Sequence, residues 1–164
     1  MKKSQGFMAN QNGKCCEQSL IPTFEKNGYT VVLNSFYEKN KDDFKKVDKL
    51  VLREVPFTSI YNHPGRTEFV IVNGDRKVRI EVKSQHFKGS VDEKMPYVYM
   101  NAVEAFPEKE VVILLEGNGM KKGAVDFLKN CVKNNYLDYK GKGKTIHVFD
   151  LAEFVNWFNH EYVA

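Results

Sequence analysis

Apolar and polar positions alternate through the middle of the chain. In "TEFVIVNGDRKVRIEVK", residues 67–83, two alternating β-branched runs flank Asn73-Gly74, a pattern that predicts a β-hairpin. Upstream, residues 14–27 place Cys16, Leu20, Ile21 and Phe24 at helical spacing and stop at Asn27-Gly28, with a bend expected at Pro22. "YTVVL" (29–33) reads as a strand, "EKNKDDFKKVDK" (38–49) as a helix or solvated loop, and "KLVLREV" and "TSIY" as short strands. Downstream, Ser90–Ala105 predicts a helix with Ser90 and Glu93 as a capping box and Pro96 as an irregularity. "EVVILLE" (110–116) is a near-continuous apolar run, as a strand covered on both faces requires. The turn "GNGMKKG" leads into the helix "AVDFLKNCVKNN", then "TIHVF" gives a strand and "DLAEFVNWFNHEYV" an amphipathic helix. This late βαβα order implies a sheet with helices on both faces.

Composition narrows the class. The 164 residues suit one domain, expected over 13–164 with 1–12 as a flexible tail, and 42% hydrophobic content with 12 Phe and 8 Tyr exceeds what a disordered chain carries. No apolar run approaches the ~20 residues of a membrane span, and "MKKSQGFMANQNGK" lacks a signal-peptide core, so a cytoplasmic protein with no membrane association is expected. Cys15, Cys16 and Cys131 suggest neither a disulfide framework nor a zinc site. The net charge of +4 is mild, yet seven Lys between Lys121 and Lys144 face only Asp126 and Asp138. Such a run meets phosphates or simply solvates a face.

Candidate chemistry lies in the hairpin. Alternation puts Arg79, Glu81 and Lys83 on one side of their strand and Val78, Ile80 and Val82 on the other. If the loop holds residues 73–74 or 73–76, paired numbers sum to 147 or 149, and either sum brings Glu68 to the face of Glu81; the second sets them directly opposite. Facing Cβ atoms lie ~4.5–5.5 Å apart and diagonal ones ~7–8 Å, within reach of one ion. Like charges so close need something positive between them: Lys83 on the same face, or a divalent cation with oxygen ligands. The plainer reading is a solvated strand face carrying a cross-strand ion pair.

Four blocks decide between these readings. "GRTEFVIV" and "RIEVKSQ", then "GSVDEKMPY" and "EGNGMKKGAVDFLK", resemble the PD-(D/E)xK nuclease superfamily, in particular its small restriction-endonuclease-like branch. The likeness extends from about Gly13 to the last helix. It implies an α/β fold with a central mixed sheet flanked by helices on both faces. It also implies a Mg²⁺-dependent endodeoxyribonuclease, with Mn²⁺ as a substitute metal. Glu68 stands at the first acid of the motif, where many members have Asp; Glu81 matches the second acid and Lys83 the lysine. Glu17 matches an accessory glutamate on the first helix, and Gln85 a glutamine of the nearest branch, whereas Ser84 departs from a bulkier residue. Glu68, Glu81 and the Val82 carbonyl would hold the metal. Lys121, Lys122, Lys94 and Arg66 are the candidate DNA contacts, and a homodimer would supply two sites for a double-strand cut.

Other motifs fail on spacing or context. "GKGKT" (141–145) would need glycine where Asp138 stands and precedes a strand, and "GNGMKKG" has Lys122 at the third glycine of a dinucleotide loop, so no nucleotide cofactor is expected. His63, His86, His147 and His160 show no metal spacing. Two alternatives stay open: a Holliday-junction or other structure-selective nuclease, since archaeal resolvases share a glutamate helix and an IEVKS-like strand, and a DNA-binding module without turnover.

Overall fold

The computed structural model describes residues 18–163. Glu17, Cys15, Cys16 and the expected tail lie outside the described residues. A helix, α1, covers 18–26 and runs through Pro22 without interruption, then Gly28, at φ +82°, turns the chain into β1 (Thr30–Leu33). There follow α2 (Asn34–Lys39), a 3₁₀ turn (Lys41–Phe44), β2 (Lys49–Thr58), β3 (Pro64–Asn73) and β4 (Arg76–Ser84). After a 3₁₀ turn at Asp92–Lys94 come α3 (Met95–Met100), a π-helical segment (Asn101–Ala105), β5 (Glu110–Glu116), α4 (Lys122–Lys133), β6 (Thr145–Asp150) and α5 (Leu151–Tyr162).

The six strands form one sheet in the order β1-β2-β3-β4-β5-β6. β2, β3 and β4 are antiparallel neighbours, while β1 pairs parallel with β2, and β4, β5 and β6 pair parallel with one another. This is the expected mixed sheet. One face packs against Leu20 and Phe24 of α1 and Phe154, Phe158 and Tyr162 of α5, around Phe69, Ile80 and Val82. On the other, Met95, Val98 and Tyr99 of α3 and Leu128 and Cys131 of α4 cover Val111, Ile113 and Leu115. Val111–Leu115 are all buried, as a strand sandwiched between helical layers must be.

Local expectations fail where tertiary contacts overrule them. "KLVLREV" continues as one strand through Pro56 to Thr58, and the rest of "TSIY" belongs instead to the tight turn joining β2 to β3. The capping box at Ser90 does not form: the first helical turn begins at Asp92 without a side-chain cap, and Asp92 Oδ1 accepts the Lys121 amide at 3.0 Å. A capping box does form at α5, between Asp150 and Glu153.

Candidate active site

The hairpin positions the acids. Asn73 pairs with Arg76 around Gly74, at φ +57°, and Asp75, so paired numbers sum to 149. That register would set Glu68 opposite Glu81, but the β3–β4 ladder ends one pair earlier, at Phe69↔Ile80. Beyond it β4 continues beside β5 to Ser84, and β3 continues beside β2 to Pro64. The two strands part company at the acids, leaving the Val82 amide without a strand partner on that side. Glu68 supplies one: its Oε2 accepts the Val82 N–H at 2.7 Å.

An irregularity in β2 aims Glu68 there. The pairs Arg53↔Phe69 and Val55↔Thr67 skip Glu54 and Glu68, and Glu54 adopts φ +53°. Left-handed backbone at a non-glycine residue costs about 1–3 kcal/mol and persists only where its surroundings enforce it. Both strands change phase at this point. Leu52 and Val55, of opposite parity, pack in one cluster with Val70, and Thr67 faces the Arg79 side although Phe69 faces α1.

Arg79 buttresses that phase change. It is 1% exposed, donates to Thr67 Oγ1 at 2.8 Å and Val55 O at 3.2 Å, and forms a two-point ion pair with Glu108. Unpaired, such a buried guanidinium would be ruinous; here acceptors meet it on several sides. Sequence reasoning passed over Arg79. Its signal was present, a third charge on the strand face of Glu81 and Lys83.

That face is buried, not solvated. Glu81 is 8% exposed, and the Lys83 ammonium is held by Glu81 Oε1 and by Val82 O at 3.3 Å. Burial opposes the charge of Lys83, but the carboxylates of Glu81 and Glu68 more than offset it and hold the pKa above the ordinary lysine value. Lys83 is therefore held in its protonated form. Burial, reinforced by the charge of Glu81, pushes the Glu68 carboxyl up to about 7 against the pull of Lys83 and the Val82 amide. Glu81 Oε2 is buried and accepts no hydrogen bond. Two crowded carboxylates, one with an unused oxygen, beside a main-chain carbonyl make a hard-oxygen donor set that fits a divalent cation. No group of three or more His, Cys, Asp or Glu converges among the described residues.

Gln85 lies just beyond. Its amide is consumed by main-chain groups, donating to Gly119 O at 2.8 Å and accepting from Val91 N at 2.9 Å. This joins the loop after β4 to the loop after β5, where a groove of about 680 Å³ is lined by His86, Lys88, Asp92, Gly119 and Lys121. Lys121 caps α4 with an exposed side chain, Lys122 opens that helix, and Lys94 ends the 3₁₀ turn before α3. Arg66, on β3, pairs with Glu54 at 3.5 Å. Of the histidines, His147 meets Glu110 at 3.3 Å and stacks on Phe149, and His86 approaches Glu116 at 3.7 Å.

Comparison with known proteins adds one finding. A family model described as a PD-(D/E)XK nuclease superfamily domain matches residues 8–162. No curated protein matches the chain.

Proposed function

Since the chain belongs to the PD-(D/E)XK nuclease superfamily, we propose that it is a metal-dependent endodeoxyribonuclease acting through Glu68, Glu81 and Lys83. The observation that carries this reading is the convergence of Glu68, the Val82 amide, Glu81 and Lys83 where β3 and β4 separate. Glu68, Glu81 and the Val82 carbonyl are the groups that would hold Mg²⁺, or Mn²⁺ in its place. A divalent ion supplies positive charge to the scissile phosphate and acidifies a water molecule when bound.

The chain's own groups do the positioning. Lys83 orients the attacking water or donates to the phosphate oxygen on which charge grows, as fixed donors do in a site of low dielectric. Glu81 keeps the ammonium in place. Glu68, tied to the Val82 amide, fixes one carboxylate relative to the carbonyl of the same residue. Lys121, Lys122, Lys94 and Arg66 contribute contacts to the DNA backbone, which position the duplex without reading its sequence. Glu17, on the first helix, is proposed as an accessory acid, and Gln85 as the residue that keeps the neighbouring loops in register with the site. A double-strand cut needs two such sites, hence a homodimer on DNA.

The test is incubation with plasmid, linear and branched DNA in Mg²⁺ or EDTA, beside Glu81→Ala, with the mass of the DNA complex read by light scattering. Mg²⁺-dependent scission lost in Glu81→Ala is expected. Scission that persists in EDTA or in Glu81→Ala would overturn the reading, and a monomeric complex would remove the homodimer.

A further inference from the structure

The turn joining β2 to β3 is built more firmly than a surface connection requires. Ser59 N donates to His63 O at 2.8 Å, Asn62 N to Ser59 O at 2.8 Å, and His63 N to Ser59 Oγ at 3.3 Å. Ile60 N donates at 2.9 Å to Oδ1 of Asn101, a side chain only 2% exposed at the start of the π-helical segment. A buried asparagine is tolerated there because its acceptor is used, and π-helical turns recur at functional sites.

What this frame presents is an aromatic ring. Tyr61 is 64% exposed, yet it is not loose: it stacks on Tyr97 with centroids 5.0 Å apart and planes 23° from parallel. Tyr97 belongs to α3, the helix that covers the sheet face carrying Glu81 and Lys83. Exposed Lys94 immediately precedes the same helix. An exposed ring braced from behind by the helix that covers Glu81 and Lys83 suits the π-face of a base.

We propose that the Tyr61–Tyr97 stack is a platform for an unpaired base adjacent to the scissile phosphate, so that duplex carrying a fork or a branch is the preferred substrate over continuous duplex. The proposal rests on the nuclease reading for its occupant. A base within a duplex is already stacked on both faces; only an unpaired one offers a free face to Tyr61.

Fluorescence anisotropy in EDTA, with fluorescein-labelled single-stranded, forked and blunt duplex oligonucleotides, separates the cases without cleavage. Tyr61→Ala should weaken single-stranded and forked binding about tenfold and leave duplex binding within about twofold, while Tyr61→Phe and Tyr61→Trp retain affinity. Tyr61→Leu keeps apolar bulk against Tyr97 without a ring and should behave as the alanine variant. A 2-aminopurine placed at the unpaired position should be quenched on binding by the wild type and not by Tyr61→Leu. Equal weakening on every DNA, no weakening on any, or full affinity in Tyr61→Leu would overturn the platform alone. Failure of the wild type to bind any of these DNAs would also overturn the platform, while the nuclease reading stands or falls separately on Mg²⁺-dependent scission.

Discussion

Lys83 keeps its proton because Glu81 and Glu68 face it, which in the proposed reaction makes it a group that orients and stabilises and does not accept a proton. Lys83→Ala should therefore slow single-turnover cleavage by about 10²–10³-fold, the range for removal of one preorganised donor, with DNA affinity little changed. Lys83→Arg should not restore the rate, since a planar fork does not substitute for a compact ammonium held between a carboxylate and a carbonyl. Full activity in either variant would remove Lys83 from the chemistry. Glu68, Glu81 and Lys83 are legible as a group in the sequence, because period-two alternation and one hairpin register relate them. Arg79 shows only as a third charge on that strand face, and Glu54 does not show at all. The first reads as another solvated charge until Phe57, Phe106 and Glu108 close over it, and nothing local in "LREVP" announces a left-handed glutamate.

Among the elements, β4 is the pivot, antiparallel to β3 on one side and parallel to β5 on the other. The Asn73-Gly74 signal and the alternation on each flank predict the hairpin and bring Glu68 to Glu81. They do not predict that the ladder stops at Phe69↔Ile80, because the parting of the strands arises from the matched phase change in β2 and β3. Past the carboxyl ends of β4 and β5, two glycines hold the loops together. Gly117 sits at φ +90°, and a Cβ there would lie 2.5 Å from the Gln85 carbonyl oxygen; one at Gly119 would lie equally close to the carbonyl oxygen of Phe87. Gly117→Ala should cost about 2–4 kcal/mol, combining a strained backbone with a clash against main chain. Gly123→Ala, in α4 with nothing within 4 Å, should be neutral or stabilise by up to about 1 kcal/mol. Urea denaturation with unchanged m-values checks both, and similar midpoints for the two variants would contradict the close approach.

Across the whole molecule, one charged cluster ties β4, β5, β6 and α5 together at the sheet end opposite the site. Arg76 pairs with Glu110 at 2.8 Å and Glu161 at 3.3 Å and lies over the Tyr162 ring, while His147 and Tyr162 also reach Glu110. Burial works against the Glu110 charge, but hydrogen bonds from His147 and Arg76 outweigh it and bring the pKa down to about 2. A depressed folded-state pKa stabilises the protein above the unfolded value of about 4.5, and that contribution is lost as pH falls toward 2. Glu110→Gln should therefore be less stable at pH 6 by roughly 2–3 kcal/mol and flatten the decline of stability below pH 4.5. Thermal unfolding from pH 2 to 7 measures this, and parallel profiles for variant and wild type would show that Glu110 carries no such linkage. By itself the sequence determined the hairpin, the late βαβα order and the spacing that relates Glu68, Glu81 and Lys83, because periodicity, turn chemistry and spacing act over a few residues. Only the tertiary structure decided that their strand face is buried, that Glu68 turns toward the Val82 amide, and that Tyr61 is braced on Tyr97. Those outcomes depend on which helix covers which face, a matter of contacts between residues far apart in the chain.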